Sequence, residues 1–179
     1  MVIDKRIVSL LQQRLANEWY SVGFYTYLAN WCSFKGYMRA SEYFKNYANT
    51  EYMHMSKVTG YLIDGGVMPD TADTNGSYPE LDNLEDVIGA WMEAQNGATM
   101  NVMAICDKAK EIGDGVTYQF FSWFIEDQRK NEAEVQSMID WCENIGLINS
   151  DAPDWAKGMM RAELDEMFED KLEAVSEAV

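Results

Sequence analysis

The chain has 179 residues, 47% of them hydrophobic, enough to bury one sizeable core and most simply arranged as a single domain. With 30 Asp+Glu against 14 Lys+Arg the formal charge is -16, and no basic block interrupts the acidity. Such a surface points away from duplex nucleic acid and anionic membrane and toward cations.

The first helix is expected from about residue 4 to the low thirties, closing at Phe34-Lys35-Gly36, where glycine suits a C-cap. Its inward stripe is Asp4, Val8, Leu11, Leu15, Glu18, Val22, Tyr25, Ala29 and Cys32, interrupted near the middle by Glu18. After so short a turn the second helix is an antiparallel neighbour. Its stripe runs Tyr37, Ala40, Phe44, Tyr47, Glu51, His54, Val58 and Tyr61 and carries the chain's single histidine. A glutamate and a histidine three residues apart share a helix face and can bind one metal ion together.

That helix ends at Asp64-Gly65-Gly66, with Pro69 beyond it, and residues 65 to 82 read as a loop. The loop is long for a compact domain. About 18 extended residues reach roughly 60 Å, against roughly 39 Å for a helix of about 26 residues. The loop can therefore travel the length of the bundle and start the third helix at the end where the second began. The third helix begins near Leu81-Asp82-Asn83 and runs to Ile112, with the stripe Leu84, Ile88, Trp91, Gln95, Ala98, Val102, Ile105 and Ala109. Gly113-Asp114-Gly115 turns the chain into a fourth helix with Thr117, Phe121, Phe124, Gln128, Asn131, Val135, Met138 and Cys142 inward. Two antiparallel hairpins joined by one long crossover are the connectivity of ferritin-like bundles.

Beyond Gly146, Asn149-Ser150-Asp151-Ala152-Pro153 supplies capping residues and a proline suited to a first helical turn. The fifth helix, within 151–178, is amphipathic through Trp155, Met159, Met160, Ala162, Leu164, Met167, Phe168, Leu172 and Val175. Its apolar face is expected across the bundle's end or against other subunits.

All four bundle stripes turn polar near mid-length. Burying a carboxylate among Tyr and Phe is unfavourable unless something neutralises it, so Glu18, Glu51, His54, Gln95 and Gln128 at one depth point to a metal centre. Tyr25 lies seven residues after Glu18 on the same stripe, a core residue first and a redox participant second. Cys32, Cys106 and Cys142 are odd in number and far apart, which indicates reduced core thiols, not a disulfide framework or zinc knuckle. The opening Met-Val-Ile-Asp-Lys-Arg lacks a signal peptide's apolar run, and a cytoplasmic location is expected.

The chain resembles the bacterial non-haem ferritins in Asn17-Glu18-Trp19-Tyr20, Asn30-Trp31-Cys32-Ser33, Thr50-Glu51-Tyr52-Met53-His54-Met55 and Tyr61-Leu62. The similarity covers roughly residues 5 to 146. It implies a hollow shell of 24 subunits that takes up ferrous iron, oxidises it with oxygen or peroxide at a di-iron centre in each bundle, and stores ferric mineral. By that resemblance Glu18, Glu51 and His54 match the ligands of the first iron position, with Glu51 bridging to the second. Gln128 matches a glutamine near the second iron and Tyr25 a tyrosine beside the site.

The departures fall on the second position. Gln95 stands where the family has a glutamate, and Asn131 where many bacterial members have another carboxylate. Thr50, Asp127 and Lys130 leave the bacterial accessory third position incomplete, while Asp127 and Glu126 flank the fourth stripe as reserve carboxylates. Neutral amides are weaker donors to hard cations than carboxylates, so a weakened second position and slow ferroxidase activity are expected. The alternative is a non-catalytic iron-binding or structural shell subunit. The expected fold is all-α, with the four-helix bundle in residues 1–146 of a single domain spanning 1–179.

Overall fold

The computed structural model describes residues 2–70 and 77–177, with the side chains of 173–177 outside that description. Its regular structure is helical throughout: α1 (Lys5–Lys35), α2 (Met38–Asp64), α3 (Leu84–Ile112), α4 (Gly115–Asn144) and α5 (Asp154–Glu177). The ends of these helices are written in local chemistry. Asp4 accepts a hydrogen bond from the Arg6 amide at the start of α1, and Gly36 closes it at φ 91°, a left-handed value that glycine adopts without a Cβ clash. Asn83 and Asp86 form a reciprocal capping box at the start of α3.

Aromatic contacts fix the directions. Tyr43 and Tyr47 of α2 meet Trp91 of α3, so these two helices start at the same end. Tyr61, at the other end of α2, hydrogen-bonds Thr117 at the start of α4, so α2 and α4 run antiparallel. The crossover follows α1. Gln12 donates to the Met68 carbonyl, Tyr27 to that of Pro79 and the Trp31 indole to that of Leu81, so the loop advances alongside α1 from near its beginning to near its end. The Tyr78 hydroxyl sits where a Cβ on Gly23 would stand, which is why the chain passes so closely there. Residues 71–76 of the expected loop lie outside the described residues.

The buried apolar residues fall into two clusters. One gathers Phe24, Tyr25, Leu28, Phe44, Trp91, Val135 and Met138, and the other Ile7, Leu11, Leu15, Val58, Leu62, Ile105 and Phe121. Between them, on all four helices, lie the buried polar residues Arg14, Glu18, Glu51, His54, Gln95 and Gln128. The expected stripes hold for α2, α3 and α4, apart from half-buried Tyr37, Tyr47, Ala98 and Asn131. On α1 the buried set shifts: Ile7, Arg14 and Leu28 are inside, whereas Asp4, Val8 and Val22 are half-buried.

The fifth helix takes a definite place on its own bundle. Leu164 and Phe168 are buried in the first apolar cluster, Phe168 against Tyr43 and Phe44 of α2. Asp165 accepts a hydrogen bond from the Ala40 amide at 2.9 Å, so α5 supplies the N-terminal cap of α2, where Tyr37 makes no side-chain cap bond. Trp155 and Met159 of the same helix stay exposed, and the side chain of Val175 lies outside the described residues. All three cysteines are free and buried, and burial pushes Cys32 up to about 12 and Cys142 to about 11, which leaves both thiols protonated. No described helix is long and apolar enough to cross a membrane.

Candidate metal centre

The polar layer is built from helix spacing. Glu51 and His54 share a face of α2, and Glu18 faces them from α1, each almost fully buried. One ligand atom from each of the three lies within 4.8 Å of the others, the single such group of His, Cys, Asp and Glu found among the described residues. Two carboxylates and an imidazole at that separation are a donor set for a divalent transition metal.

His54 presents its two ring nitrogens to two carboxylates. Nδ1 lies 3.4 Å from Glu51 Oε2 and Nε2 lies 3.6 Å from Asp127 Oδ2. Burial disfavours the imidazolium, but Glu51, Glu18 and Asp127 together outweigh it and raise the pKa of His54 above its ordinary value. Trp123 and Phe124 stand edge-on to the ring, each at 5.5 Å, and the Lys57 ammonium lies 3.4 Å over the Trp123 face. These groups cover the outer side of the histidine.

Glu18 is the most perturbed acid of the centre. Burial pushes its carboxyl up to about 8, with Arg14 pulling it down and Glu51 pushing it further up. Arg14, one helical turn earlier on α1, is buried and forms an ion pair through Nη2 with Glu18 Oε1. The inward stripe expected for α1 includes Leu15 and omits Arg14. The available signal was its position four residues before Glu18 on the same face.

Gln95 and Gln128 are buried at the same depth. Gln95 donates through Nε2 to the hydroxyls of Tyr25 and Tyr47, each at 2.8 Å, which ties the expected ligand to two phenols at once. Burial holds both tyrosines well above the ordinary phenol range, so they are neutral. The Oε1 atoms of Gln95 and Gln128 have no hydrogen-bond partner among the described residues. Buried carbonyl oxygens left in that state are unfavourable in an empty apolar interior and suit a nearby cation. Asn131 is half-buried and donates to Asp127 Oδ2 at 3.4 Å, so it braces that carboxylate. Glu126 is exposed.

An antiparallel bundle with a full-length crossover and a carboxylate–imidazole cluster between two apolar halves is a ferritin-like architecture. The ferritin-like domain profile matches residues 8–145. The chain belongs to the ferritin family. A bacterial non-heme ferritin-like protein of Haemophilus influenzae is 24% identical over 145 residues, covering 81% of this chain and 88% of the relative. The bacterial non-heme ferritin of Escherichia coli O6:H1 is 22% identical over 139 residues, with 78% and 84% covered. Among solved structures, the open pore ferritin of Archaeoglobus fulgidus superposes with a TM-score of 0.79 at 20% identity, covering 91% of this chain and 98% of that one.

Proposed function

We propose that this chain is a subunit of an iron-storage ferritin that binds ferrous iron inside each bundle, oxidises it slowly with oxygen or peroxide and holds the ferric product in a hollow shell of 24 copies. The observation carrying this reading is the convergence of Glu18, Glu51 and His54 within 4.8 Å in a buried layer. Glu18 and Glu51 supply hard oxygen donors and His54 a nitrogen, a set suited to ferrous iron. With Nε2 facing Asp127, the metal-binding nitrogen of His54 is Nδ1, the atom nearest Glu51.

Gln95 and Gln128 offer amide oxygens to a second, weaker position, and Tyr25 stands beside it as a neutral phenol able to give up an electron. Reducing dioxygen to peroxide takes two electrons, one from each of two ferrous ions. A weak second position therefore slows the reaction without abolishing uptake of the first ion. The grip of Gln95 on Tyr25 and Tyr47 favours a second reading, a non-catalytic iron-binding subunit of the same shell.

Anaerobic ferrous titration of the wild type and His54→Ala, followed by oxygen-electrode measurement, tests both. Tight binding in the wild type, lost in the variant with helical content intact, is expected together with measurable oxygen uptake. Tight binding with negligible oxygen uptake selects the non-catalytic reading, and wild-type binding unchanged by the substitution removes the site.

A further inference from the structure

Arg14 has no part in the chemistry proposed above, yet it is 2% exposed in the middle of the bundle. An arginine cannot shed its proton at ordinary pH, so this is a permanent positive charge inside the layer where metal would bind. It is pinned on two sides: Nη2 pairs with Glu18 Oε1, and the guanidinium carbon lies 5.4 Å from the centre of the Phe124 ring on α4. Phe124 in turn touches His54. Neither Glu18 oxygen has a hydrogen-bond partner among the described residues, and Oε1 alone stands in an ion pair. Glu18 thus has one oxygen beside a cation and the other without one, the disposition of a carboxylate able to bridge two positive centres.

The charge balance follows. With metal bound and its carboxylates ionised, Glu18 and Glu51 contribute two negative charges, Asp127 beside His54 Nε2 a third, and Arg14 returns one, while Gln95 and Gln128 contribute none. One divalent ion then leaves the layer neutral, and a second leaves two excess positive charges, which weakens its binding in a low-dielectric interior.

We propose that Arg14 is a resident counter-cation of the centre: it holds Glu18 through Oε1, leaves Oε2 for the metal, and limits each bundle to one tightly bound divalent ion. This rests on the reading of Glu18, Glu51 and His54 as metal ligands. Arg14 acts through Glu18 and is a positioning residue.

The test uses the full-length assembled protein and Co2+ under anaerobic conditions, with affinity read from cobalt absorption and the ions in each bundle counted by anomalous scattering from crystals. The wild type should hold one ion per bundle centre. Arg14→Lys, which keeps the charge, should bind with affinity near the wild type. Arg14→Gln should bind the first ion on the order of tenfold more tightly, in affinities corrected for the proton that Glu18 releases, because a like charge has been removed from its surroundings. Its metal-free form should also unfold at a lower temperature and gain more from added Co2+ than the wild type does. Equal affinity and equal metal-induced stabilisation in the wild type and Arg14→Gln overturn the proposal. So do two ions held with comparable affinity in one wild-type bundle centre, a result that does not depend on any variant folding. No ion at all in the wild-type centre, with His54→Ala indistinguishable from it, is a different result and defeats the metal-site reading itself.

Discussion

Asp127 places Oδ2 3.6 Å from His54 Nε2, on the side of the imidazole opposite Glu51. A carboxylate there favours the tautomer with its proton on Nε2 and leaves the Nδ1 lone pair for metal. Asp127→Asn can also accept a hydrogen bond, but it lacks the charge and can present its amide nitrogen instead. The expected outcome is ferrous or Co2+ affinity about 10–100-fold lower with the fold unchanged, measured by anaerobic titration. Unaltered affinity would mean that the imidazole is oriented by its packing against Trp123 and Phe124.

The cap that α5 lends to α2 gives a second prediction. Asp165 satisfies the Ala40 amide, which belongs to the first turn of a helix with no side-chain cap of its own. Asp165→Ala should destabilise by about 1 kcal/mol, the usual cost of a lost N-cap. Phe168→Ala, which removes a fully buried ring from the contact with Tyr43 and Phe44, should cost about 3–5 kcal/mol. Thermal unfolding followed by circular dichroism checks both, and the expected order is the phenylalanine variant below the aspartate variant below the wild type.

Part of this architecture was legible in the chain and part was not. The stripes on α2, α3 and α4 were readable because alternating steps of three and four admit few alternatives, and the polar layer followed from where Glu18, Glu51, His54, Gln95 and Gln128 break them. Arg14 escaped because an inward face wide enough for a bundle core admits both position 14 and position 15, and the apolar candidate was the natural choice. Tyr47 was on its stripe, but its bond to Gln95 joins residues far apart in sequence and no local pattern encodes it. The seat of α5 was hidden for the same reason: amphipathicity says which face is covered and leaves open what covers it. Asp165 and Ala40 find each other only in three dimensions.

Assembly is the third prediction. Trp155 and Met159 remain 72% and 61% exposed on a helix that already sets Met160, Leu164, Met167, Phe168 and Leu172 against its own bundle. An isolated chain would leave them in water, whereas a closed shell can bury them between copies. Sedimentation or light scattering at micromolar concentration should show a large closed oligomer, with 24 chains the expected number. A stable monomer or dimer under those conditions contradicts it.

Gln95 carries the last prediction. Its Nε2 now donates to Tyr25 and Tyr47, so both phenols act as acceptors toward it. Glutamate has nearly the same volume and no donor, and it would require the two hydroxyls to turn and donate instead. They are free to do so, because both tyrosines are neutral and a phenol O–H can rotate. Two donated hydrogen bonds would stabilise a buried carboxylate there, and its charge would offset the positive charge of Arg14. Gln95→Glu should therefore raise metal occupancy at the second position and speed the fast phase of iron oxidation, read by stopped-flow absorbance and by anomalous scattering after an aerobic iron soak. Adding Arg14→Gln to Gln95→Glu should raise second-ion occupancy further, since each change shifts the layer by one unit of charge in the same direction. Oxidation no faster in Gln95→Glu, with the fold intact, would mean that Gln95 serves the tyrosines alone and that the second position takes no ligand from α3.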